Sequence, residues 1–130
     1  MSISAVVITY NEESNIDRCL ASLSFADEIV VLDSFSTDRT VEFAQRFTDR
    51  VSQRKFSNFA EQKNAAIELA SNDWVLVVDA DEVVSEQLSC EIRKAVESDK
   101  FTAYKMPRLS YFLGQPIRHC GWYPDYVIKL

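Results

Sequence analysis

The sequence is poor in glycine, proline and histidine, with two, three and one of these residues among 130. So few glycines and prolines, without any internal repeat, exclude a collagen-like or low-complexity chain. No apolar run approaches the roughly 20 residues that a membrane-spanning helix needs. The three cysteines, Cys19, Cys90 and Cys120, are widely spaced and include no CxxC pair. They predict reduced thiols in a cytoplasmic protein, not a disulfide framework or a zinc site.

Positive charge is also scarce, since the formal net charge is −6 at pH 7. The imbalance lies in residues 1–100, which hold ten basic and 19 acidic residues, a balance of −9. Residues 101–130 hold four basic residues and one acid, a balance of +3, together with seven of the 15 aromatic residues. This split predicts two functional regions, 1–100 and 101–130, within one domain. The acidic balance argues against general nucleic-acid binding.

The first 97 residues alternate between strand-like and helix-like patterns. Apolar runs typical of strands cover 3–8, 28–32 and 74–78, with a weaker candidate at 50–54. Apolar residues recur at helical spacing over about 14–23, 58–70 and 85–96, and in a further segment after residue 37. Strands alternating with helices predict an α/β fold with a Rossmann-like, mostly parallel central sheet and flanking helices.

Capping residues predict where three of these helices begin. Ser36 or Thr37 is expected to cap the second helix, and Ser85 the fourth. Asn58 and Glu61 form an N-cap and N3 pair for the third helix. Two apolar stripes follow: Val41, Ala44 and Phe47 for the second helix, and Phe59, Ala60, Ala66, Ile67 and Ala70 for the third. Lys63 is expected to lie on the stripe of the third helix.

The pattern changes after residue 100, where strands are expected at 102–106, 109–113 and 126–130, with a turn near 114–116. The chain stops inside the last of these strands. We therefore expect it to be C-terminally truncated.

The run 74–78 leads directly into Asp79 and Asp81. Positions i and i+2 of a strand point the same way, so both carboxylates would face one side, roughly 7 Å apart. Two such carboxylates repel each other unless a cation lies beside them. The pair therefore predicts a divalent metal holding a phosphorylated ligand.

Polar residues follow three of the predicted strands, at Thr9 to Glu12, at Asp33-Ser34 and at Asp79 to Asp81. In a parallel sheet all three ends lie on one edge, where open α/β sheets bind nucleotides. Neither GxGxxG nor GxxxxGK[ST] occurs, so phosphate binding needs another device. Structural alternatives stay open: Tyr10 could be a core aromatic, Asp33 a strand-end acid, and Lys63 could extend into water.

Four motifs resemble those of family 2 glycosyltransferases, which have the GT-A fold. They are VITYNE at 7–12, VLDSFSTDRT at 31–40, QKN at 62–64 and VDADE at 78–82. The motif YPD at 123–125 resembles the one found in the branch of this family that adds glucose or heptose to the lipopolysaccharide core. The resemblance covers nearly all 130 residues and implies the nucleotide-binding half of a GT-A fold.

The resemblance implies a UDP-sugar donor and a Mg²⁺ or Mn²⁺ ion. Thr9, Tyr10 and Glu12 would line the uridine pocket, with Tyr10 against the base. Asp33 would hydrogen-bond the base or its neighbourhood, beside Ser34, which stands where many relatives have a second acid. The roles of the remaining residues follow the same pattern: Lys63 at the base or a phosphate, Asp79 near the ribose or sugar, and Asp81 on the metal between the diphosphate oxygens.

The resemblance also implies an inverting transfer, in which an acceptor hydroxyl attacks the anomeric carbon and a carboxylate takes its proton. Asp125 lies in the right region for this base, although it could instead be a turn residue after Pro124. His119 is a poorer candidate, and the base could lie beyond residue 130.

The region 101–130 is expected to meet a saccharide or lipid-linked acceptor. Its aromatic residues would stack on sugar rings and its basic residues would meet an anionic acceptor; they are Tyr111, Trp122, Tyr123, Lys105, Arg108 and Arg118. The resemblance places such an enzyme in lipopolysaccharide core or cell-envelope glycan synthesis. We expect it in the cytoplasm, in peripheral contact with the cytoplasmic face of the inner membrane.

Two other functions remain open. The first is a non-catalytic nucleotide- or signal-binding α/β module, for example a receiver-like phospho-acceptor. Such modules also gather carboxylates and a lysine at a sheet edge, although Asn11-Glu12 poorly matches the acidic pair that receivers have after the first strand. The chain could also bind UDP without transferring sugar, because its acceptor half is incomplete.

Overall fold

The computed structural model describes residues 2–98 and the strand segments 103–106, 109–112, 115–118 and 125–129. The elements in chain order are β1 (Ile3–Thr9), α1 (Ile16–Ala21), β2 (Glu28–Asp33), α2 (Thr40–Ala44), β3 (Val51–Gln53), α3 (Phe59–Glu68), β4 (Trp74–Asp79), α4 (Glu86–Ser98), β5 (Ala103–Met106), β6 (Leu109–Phe112), β7 (Gln115–Arg118) and β8 (Asp125–Lys129). None of the helices in this described part has the length and hydrophobicity of a membrane span.

Six strands form one sheet in the order β3-β2-β1-β4-β8-β5. β1 lies parallel to both β2 and β4, and β2 lies parallel to β3, whereas β8 runs antiparallel to β4 and β5. β6 and β7 form a separate antiparallel pair, of which β7 was not expected from the sequence. The predicted α/β fold with a mostly parallel sheet is confirmed. Because β5 and β8 extend the same sheet, regions 1–100 and 101–130 share one framework.

The unbroken apolar strands are buried on both faces of the sheet. All five residues from Trp74 to Val78 are buried, as expected for a strand covered on both sides. One core cluster joins alternate strand residues to apolar residues of α1, α2 and α4, including Leu20, Ala44 and Ile92. A smaller cluster on the other face contains Ala66 of α3. The helices therefore flank the sheet and leave its carboxyl edge open.

The predicted start of α2 is wrong. The helix begins at Thr40, not directly after Ser36 or Thr37, and Phe47 lies beyond its end with 38% of its surface exposed. The Ser36 hydroxyl donates to the Asp33 carboxylate, and the Thr37 amide donates to Asn11 Oδ1 at 2.8 Å. Ser36 Oγ accepts from the Asn11 amide, whereas the Thr40 amide at the start of the helix donates to Asp38 Oδ1 at 3.0 Å. Ser36 and Thr37 therefore hold the loop between β2 and α2 and do not cap the helix.

The predicted apolar stripe of α3 is wrong in its first turn. Phe59 is 69% exposed and Ala60 is also exposed, whereas Gln62 is buried. The capping prediction for this helix is confirmed, because the Glu61 amide donates to Asn58 Oδ1 at 2.9 Å. The prediction for α4 is confirmed as well, since the Leu88 amide donates to Ser85 Oγ at 3.0 Å.

The opposite, amino edge of the sheet is tied together by Glu28. Its carboxylate accepts hydrogen bonds from Ser4 Oγ at 2.7 Å, from the Ser71 amide at 2.9 Å and from Arg50 Nη1 at 2.7 Å. Burial raises the pKa of Glu28, but these hydrogen bonds outweigh burial and lower the pKa to about 2. The carboxylate thereby links β1, β2, the residue before β3 and the loop before β4.

We expect Glu28→Gln to flatten the acid dependence of stability. The folded-state pKa lies below the ordinary value of 4.5, so the contribution of Glu28 is complete above that pH and is lost as pH falls towards 2. Between pH 5.5 and pH 3 the unfolding free energy of the wild type should fall by about 2 kcal/mol more than that of Glu28→Gln. Urea unfolding at both pH values measures the difference, with the exposed Glu42→Gln as control. An identical pH dependence in wild type and Glu28→Gln would contradict this assignment.

Candidate functional site

The carboxyl ends of β1, β2 and β4 bring the predicted site residues to one edge of the sheet. Thr9, Asp33 and Asp79 are the last residues of these three strands, and the register pairs Thr9 with Asp33 and Ile8 with Asp79. Tyr10 and Ser34 directly follow β1 and β2, and Asp81 lies two residues beyond β4. The edge at which open α/β sheets bind ligands is thus the polar edge of this protein.

Asp33 is fully buried at this edge, where four donors surround its carboxylate. Oδ1 accepts from Thr9 Oγ1 at 2.7 Å and from the Ser36 hydroxyl at 2.6 Å. Oδ2 accepts from the Ser36 amide at 2.8 Å and from Gln53 Nε2 at 3.3 Å. A buried carboxylate is tolerated only with such partners. Asp33 therefore joins β1, β2 and β3 to the loop that follows β2, and its contact with a base stays a prediction.

The loops after β1 and β2 are locked to each other. Asn11 donates its backbone amide to Ser36 Oγ at 2.8 Å, and its side-chain oxygen accepts from the Thr37 amide. The Glu12 amide donates to Thr40 Oγ1 at 2.8 Å. Asn11 and Phe35 have positive φ angles of 51° and 58°. Phenylalanine in this region costs about 1–2 kcal/mol, so the surrounding hydrogen bonds must hold the loop in its shape.

Ser34 is held from the other side of the sheet by α3. The buried Gln62 donates Nε2 to Ser34 Oγ at 3.0 Å, and its Oε1 accepts from Arg54 Nη1 at 3.3 Å. Arg54 in turn donates its backbone amide to the Asp33 carbonyl at 2.9 Å. The end of β2 and the start of α3 are therefore connected through side chains.

Lys63 reaches the same edge from α3. Its Nζ lies 3.7 Å from Asp79 Oδ1, and 31% of the lysine side chain and 29% of the aspartate side chain are exposed. Lys63 therefore extends towards the carboxyl end of β4, where a bound anion could contact it. The structure brings these two predicted residues together.

Tyr10 and Glu12 lie in the loop after β1. Tyr10 is 58% exposed, so the alternative that it is a core aromatic is excluded. Glu12 is half-buried, and its Oε2 accepts from Asn15 Nδ2 at 3.0 Å. Thr9 is buried beneath them. An exposed ring above buried polar groups suits stacking against a flat ligand. The roles of Thr9, Tyr10 and Glu12 at a uridine remain predictions.

Four carboxylates surround the end of β4. Burial raises the pKa of the Cys19 thiol, and the negative charges of Glu82, Asp81, Asp79 and Glu12 raise it further. The Glu82 carboxylate accepts from the Asp79 amide at 2.8 Å and so closes the turn after β4. Several negative charges therefore lie near the end of β4, and together they favour a cation there.

Asp81 is the carboxylate best placed to hold a metal ion. It is exposed, whereas Asp79 is paired with Lys63 and Glu82 is bonded to the backbone. Within residues 2–98 no group of three His, Cys, Asp or Glu side chains is arranged to hold a metal ion. One carboxylate fits an ion that takes its other ligands from a phosphorylated ligand and water, as Mg²⁺ commonly does.

Asp125 is the first residue of β8, and its side chain lies outside the described part of the chain. β8 pairs Val127 with Leu76 of β4, in antiparallel register. The described pairing of β8 with β4 runs from Trp74–Lys129 to Leu76–Val127 and ends two residues short of Asp125, which pairs with Met106 of β5. The role of Asp125 as the base stays a prediction. Trp122 and Tyr123 lie outside the described residues.

The sequence did not reveal the residues that hold the loops of the site in place. Asn11, Gln53 and Gln62 hold the loops, yet none was assigned a role, and Ser36 was expected only to cap α2. Gln62 belongs to the QKN motif at 62–64, from which only Lys63 was interpreted. The signal that could have revealed it is a polar residue four positions before the buried Ala66, on the same face of α3.

Residues 4–121 match the family model described as glycosyl transferase family 2. An uncharacterized glycosyltransferase of Rickettsia bellii is 39% identical over 111 residues, covering 82% of this chain and 38% of that protein. The lipopolysaccharide core biosynthesis glycosyltransferase LpsC of Rhizobium meliloti is 32% identical over 133 residues, covering 98% and 47%. The chain spans less than half the length of these relatives.

Solved structures with the same fold include S. aureus TarS in complex with UDP-GlcNAc, with a TM-score of 0.75 at 24% identity over 92% of this chain and 37% of that one. The mannosyltransferase PcManGT of Pyrobaculum calidifontis, in complex with GDP-Man and Mn²⁺, has a TM-score of 0.66 at 26% identity, covering 82% and 36%. The family match and the sheet with its polar carboxyl edge agree: the chain belongs to glycosyl transferase family 2 and has the GT-A fold.

Proposed function

We propose that this chain forms the donor-binding half of an inverting glycosyltransferase that transfers a sugar from a UDP-sugar to a saccharide or lipid-linked acceptor. One observation carries the proposal. The exposed Tyr10, the Lys63–Asp79 ion pair and the exposed Asp81 lie together at the carboxyl edge of the sheet. Tyr10 would suit the base of a sugar nucleotide, the ion pair its negatively charged part, and Asp81 the metal ion bound with it.

Different residues at the carboxyl edge would bind different parts of the sugar nucleotide. The Tyr10 ring would stack on the uracil, with Thr9 and Glu12 lining the pocket and Asp33 beside the base. Lys63 would contact the base or a phosphate, and Asp79 would accept from the ribose or sugar. Because Lys63 and Asp79 are already 3.7 Å apart, a donor between β1 and α3 would reach both without a large rearrangement.

Asp81 would hold Mg²⁺ or Mn²⁺ against the diphosphate. When bound, the ion would neutralise the negative charge that develops on the departing UDP. The chain's part in this step is electrostatic: Asp81 fixes the ion, and Lys63 adds a positive charge from the opposite side. PcManGT supports this assignment, since it was solved with Mn²⁺ and a sugar nucleotide.

Asp125 would accept the proton of the attacking acceptor hydroxyl; the pairing of β8, which begins at Asp125, with β4 supports this assignment. Attack from the face opposite UDP inverts the anomeric carbon. The acceptor would lie against region 101–130, whose balance of +3 suits an anionic saccharide. Equal activity of the full-length protein on neutral and phosphorylated acceptors would contradict the anionic choice.

We propose that the protein acts in lipopolysaccharide core or cell-envelope glycan synthesis, which the name of the R. meliloti relative supports.

We place the protein in the cytoplasm, in peripheral contact with the inner membrane. Phe56 and Phe59 support that contact: they are 44% and 69% exposed, their ring centroids are 5.1 Å apart, and Lys55 adjoins them. Sedimentation with anionic vesicles tests it; equal binding of the wild type and Phe59→Ser would contradict it.

Calorimetric titration with UDP, with and without Mn²⁺, tests the proposed donor site. We expect binding that requires the metal, because the chain alone offers the diphosphate more negative than positive charge. A receiver-like module would behave differently. Stable phosphorylation of an aspartate by a small phosphodonor, without UDP binding, would overturn the glycosyltransferase proposal.

A further inference from the structure

The side chains of Arg54, Gln62 and Ser34 form a chain of hydrogen bonds with a fixed direction. A guanidinium group can only donate hydrogen bonds, so the Gln62 oxygen must face Arg54. The amide nitrogen of Gln62 then faces Ser34 and donates to its Oγ at 3.0 Å. Because Gln62 is only 1% exposed, water cannot reorient this amide. The direction thus follows from chemistry and burial alone.

This direction determines what Ser34 can do. A serine hydroxyl has one hydrogen to donate and two lone pairs to accept. One lone pair is used by Gln62, and within the described residues no acceptor receives the hydroxyl hydrogen. Ser34 is half-buried at the end of β2, between the buried Asp33 and the exposed Phe35. Its hydrogen is therefore available to a ligand at the carboxyl edge.

We propose that Arg54 and Gln62 are positioning residues that make Ser34 a hydrogen-bond donor, and that this selects a nucleobase with a carbonyl at C4. Uracil has a carbonyl oxygen at C4, which accepts the Ser34 hydrogen. Cytosine has an amino group there, and pairing with it would use the second lone pair of Ser34 and leave the hydroxyl hydrogen without an acceptor among the described residues. The inference rests on the proposed nucleotide site and adds the means by which that site distinguishes two pyrimidines.

Binding of UDP and CDP to this chain, each in the presence of Mn²⁺, tests the proposal. One hydrogen bond gained by UDP and lost by CDP should make UDP bind about tenfold more tightly. Ser34→Ala should bring the two affinities close to each other. Because Ser34 is partly exposed and uncharged, this variant should remain folded, which thermal unfolding can check.

The isosteric variant Gln62→Glu gives the sharpest result. A carboxylate can accept from both Arg54 and Ser34, so the Ser34 hydrogen would turn inwards and its lone pairs would face the ligand. The UDP-to-CDP affinity ratio should then fall to one or below. Gln45→Glu is the matched control, because it makes the same change at an exposed position at the end of α2 and should leave the ratio unchanged.

The outcomes distinguish a failure of the Ser34 inference from a failure of the proposed nucleotide site. A ratio near one in the wild type, or a wild-type preference that Gln62→Glu leaves unchanged, would overturn the inference while leaving the nucleotide site standing. A loss of both affinities by the same factor would show Gln62 to be merely structural and would also overturn it. If neither nucleotide binds the wild type, the proposed function itself fails.

Discussion

Asp81→Asn is expected to abolish the Mn²⁺-dependent part of UDP binding. Asp81 is exposed and has no partner within residues 2–98, whereas Asp79 is paired with Lys63 and Glu82 is bonded to the backbone, so Asp81 is the carboxylate best able to bind an ion. An asparagine keeps the size but loses the charge that a divalent ion prefers. We expect the UDP affinity measured with Mn²⁺ to fall at least about 100-fold, to the level measured without the metal.

Asp49→Asn is the control for charge. Asp49 is exposed before β3, at the amino edge of the sheet, and its replacement removes the same negative charge far from the proposed site. UDP affinity should be unchanged in this variant. Equal losses in Asp49→Asn and Asp81→Asn would indicate a general charge effect. Metal-dependent binding that survives in Asp81→Asn would place the ion elsewhere.

Asp33→Ala is expected to produce the largest loss of stability of any single change at the site. The substitution leaves the Thr9 hydroxyl, both donors of Ser36 and the Gln53 amide without their acceptor in a buried position. Each buried group left unpaired costs about 1–3 kcal/mol, although relaxation and water reduce the sum. We expect the free energy of unfolding to fall by about 3 kcal/mol or more, measured by urea denaturation at pH 7.

The exposed Asp73→Ala provides the comparison for Asp33→Ala, since it removes a carboxylate from a surface loop. Its free energy of unfolding should stay within about 0.5 kcal/mol of the wild type. A similarly small loss in Asp33→Ala would mean that the buried network does not hold the loops. The Asp33 carboxylate would then be available to contact a ligand directly.

The sheet could be predicted from the sequence because its strands are apolar without interruption. Trp74 to Val78 has no polar residue, and a run this short between helical segments is typical of a strand covered on both faces. The positions of the site residues followed from this, because the acids directly after a parallel strand must lie at its carboxyl end. Topology alone therefore gave the correct edge for Asp33 and Asp79.

The local structure between β2 and α2 could not be predicted in the same way. Hydroxyl groups such as that of Ser36 can cap a helix or bind a neighbouring side chain, and the choice depends on partners distant in sequence. Here the Ser36 hydroxyl bonds to Asn11, in the loop after β1, and to Asp33, at the end of β2. Capping rules consider only the adjacent turn, so they placed the start of α2 too early.

The prediction for the first turn of α3 was wrong for a similar reason. Hydrophobicity predicts that Phe59 is buried and Gln62 is not, yet Phe59 is exposed and packs against Phe56. Gln62 is buried because Ser34 and Arg54 satisfy its amide. A polar residue can occupy the interior when both its donor and its acceptor find partners, and those partners cannot be recognised from the helix alone.

A crystal of this protein soaked with several UDP-sugars and Mn²⁺ is the most direct test of the proposed donor site. The account predicts the uracil against Tyr10, the diphosphate near Lys63 and an anomalous Mn²⁺ signal at Asp81. One alternative location within the described residues is a cavity of about 680 Å³ at the amino edge, lined among others by Phe47 and Arg50. Nucleotide bound in that cavity, or Mn²⁺ bound away from Asp81, would contradict the account.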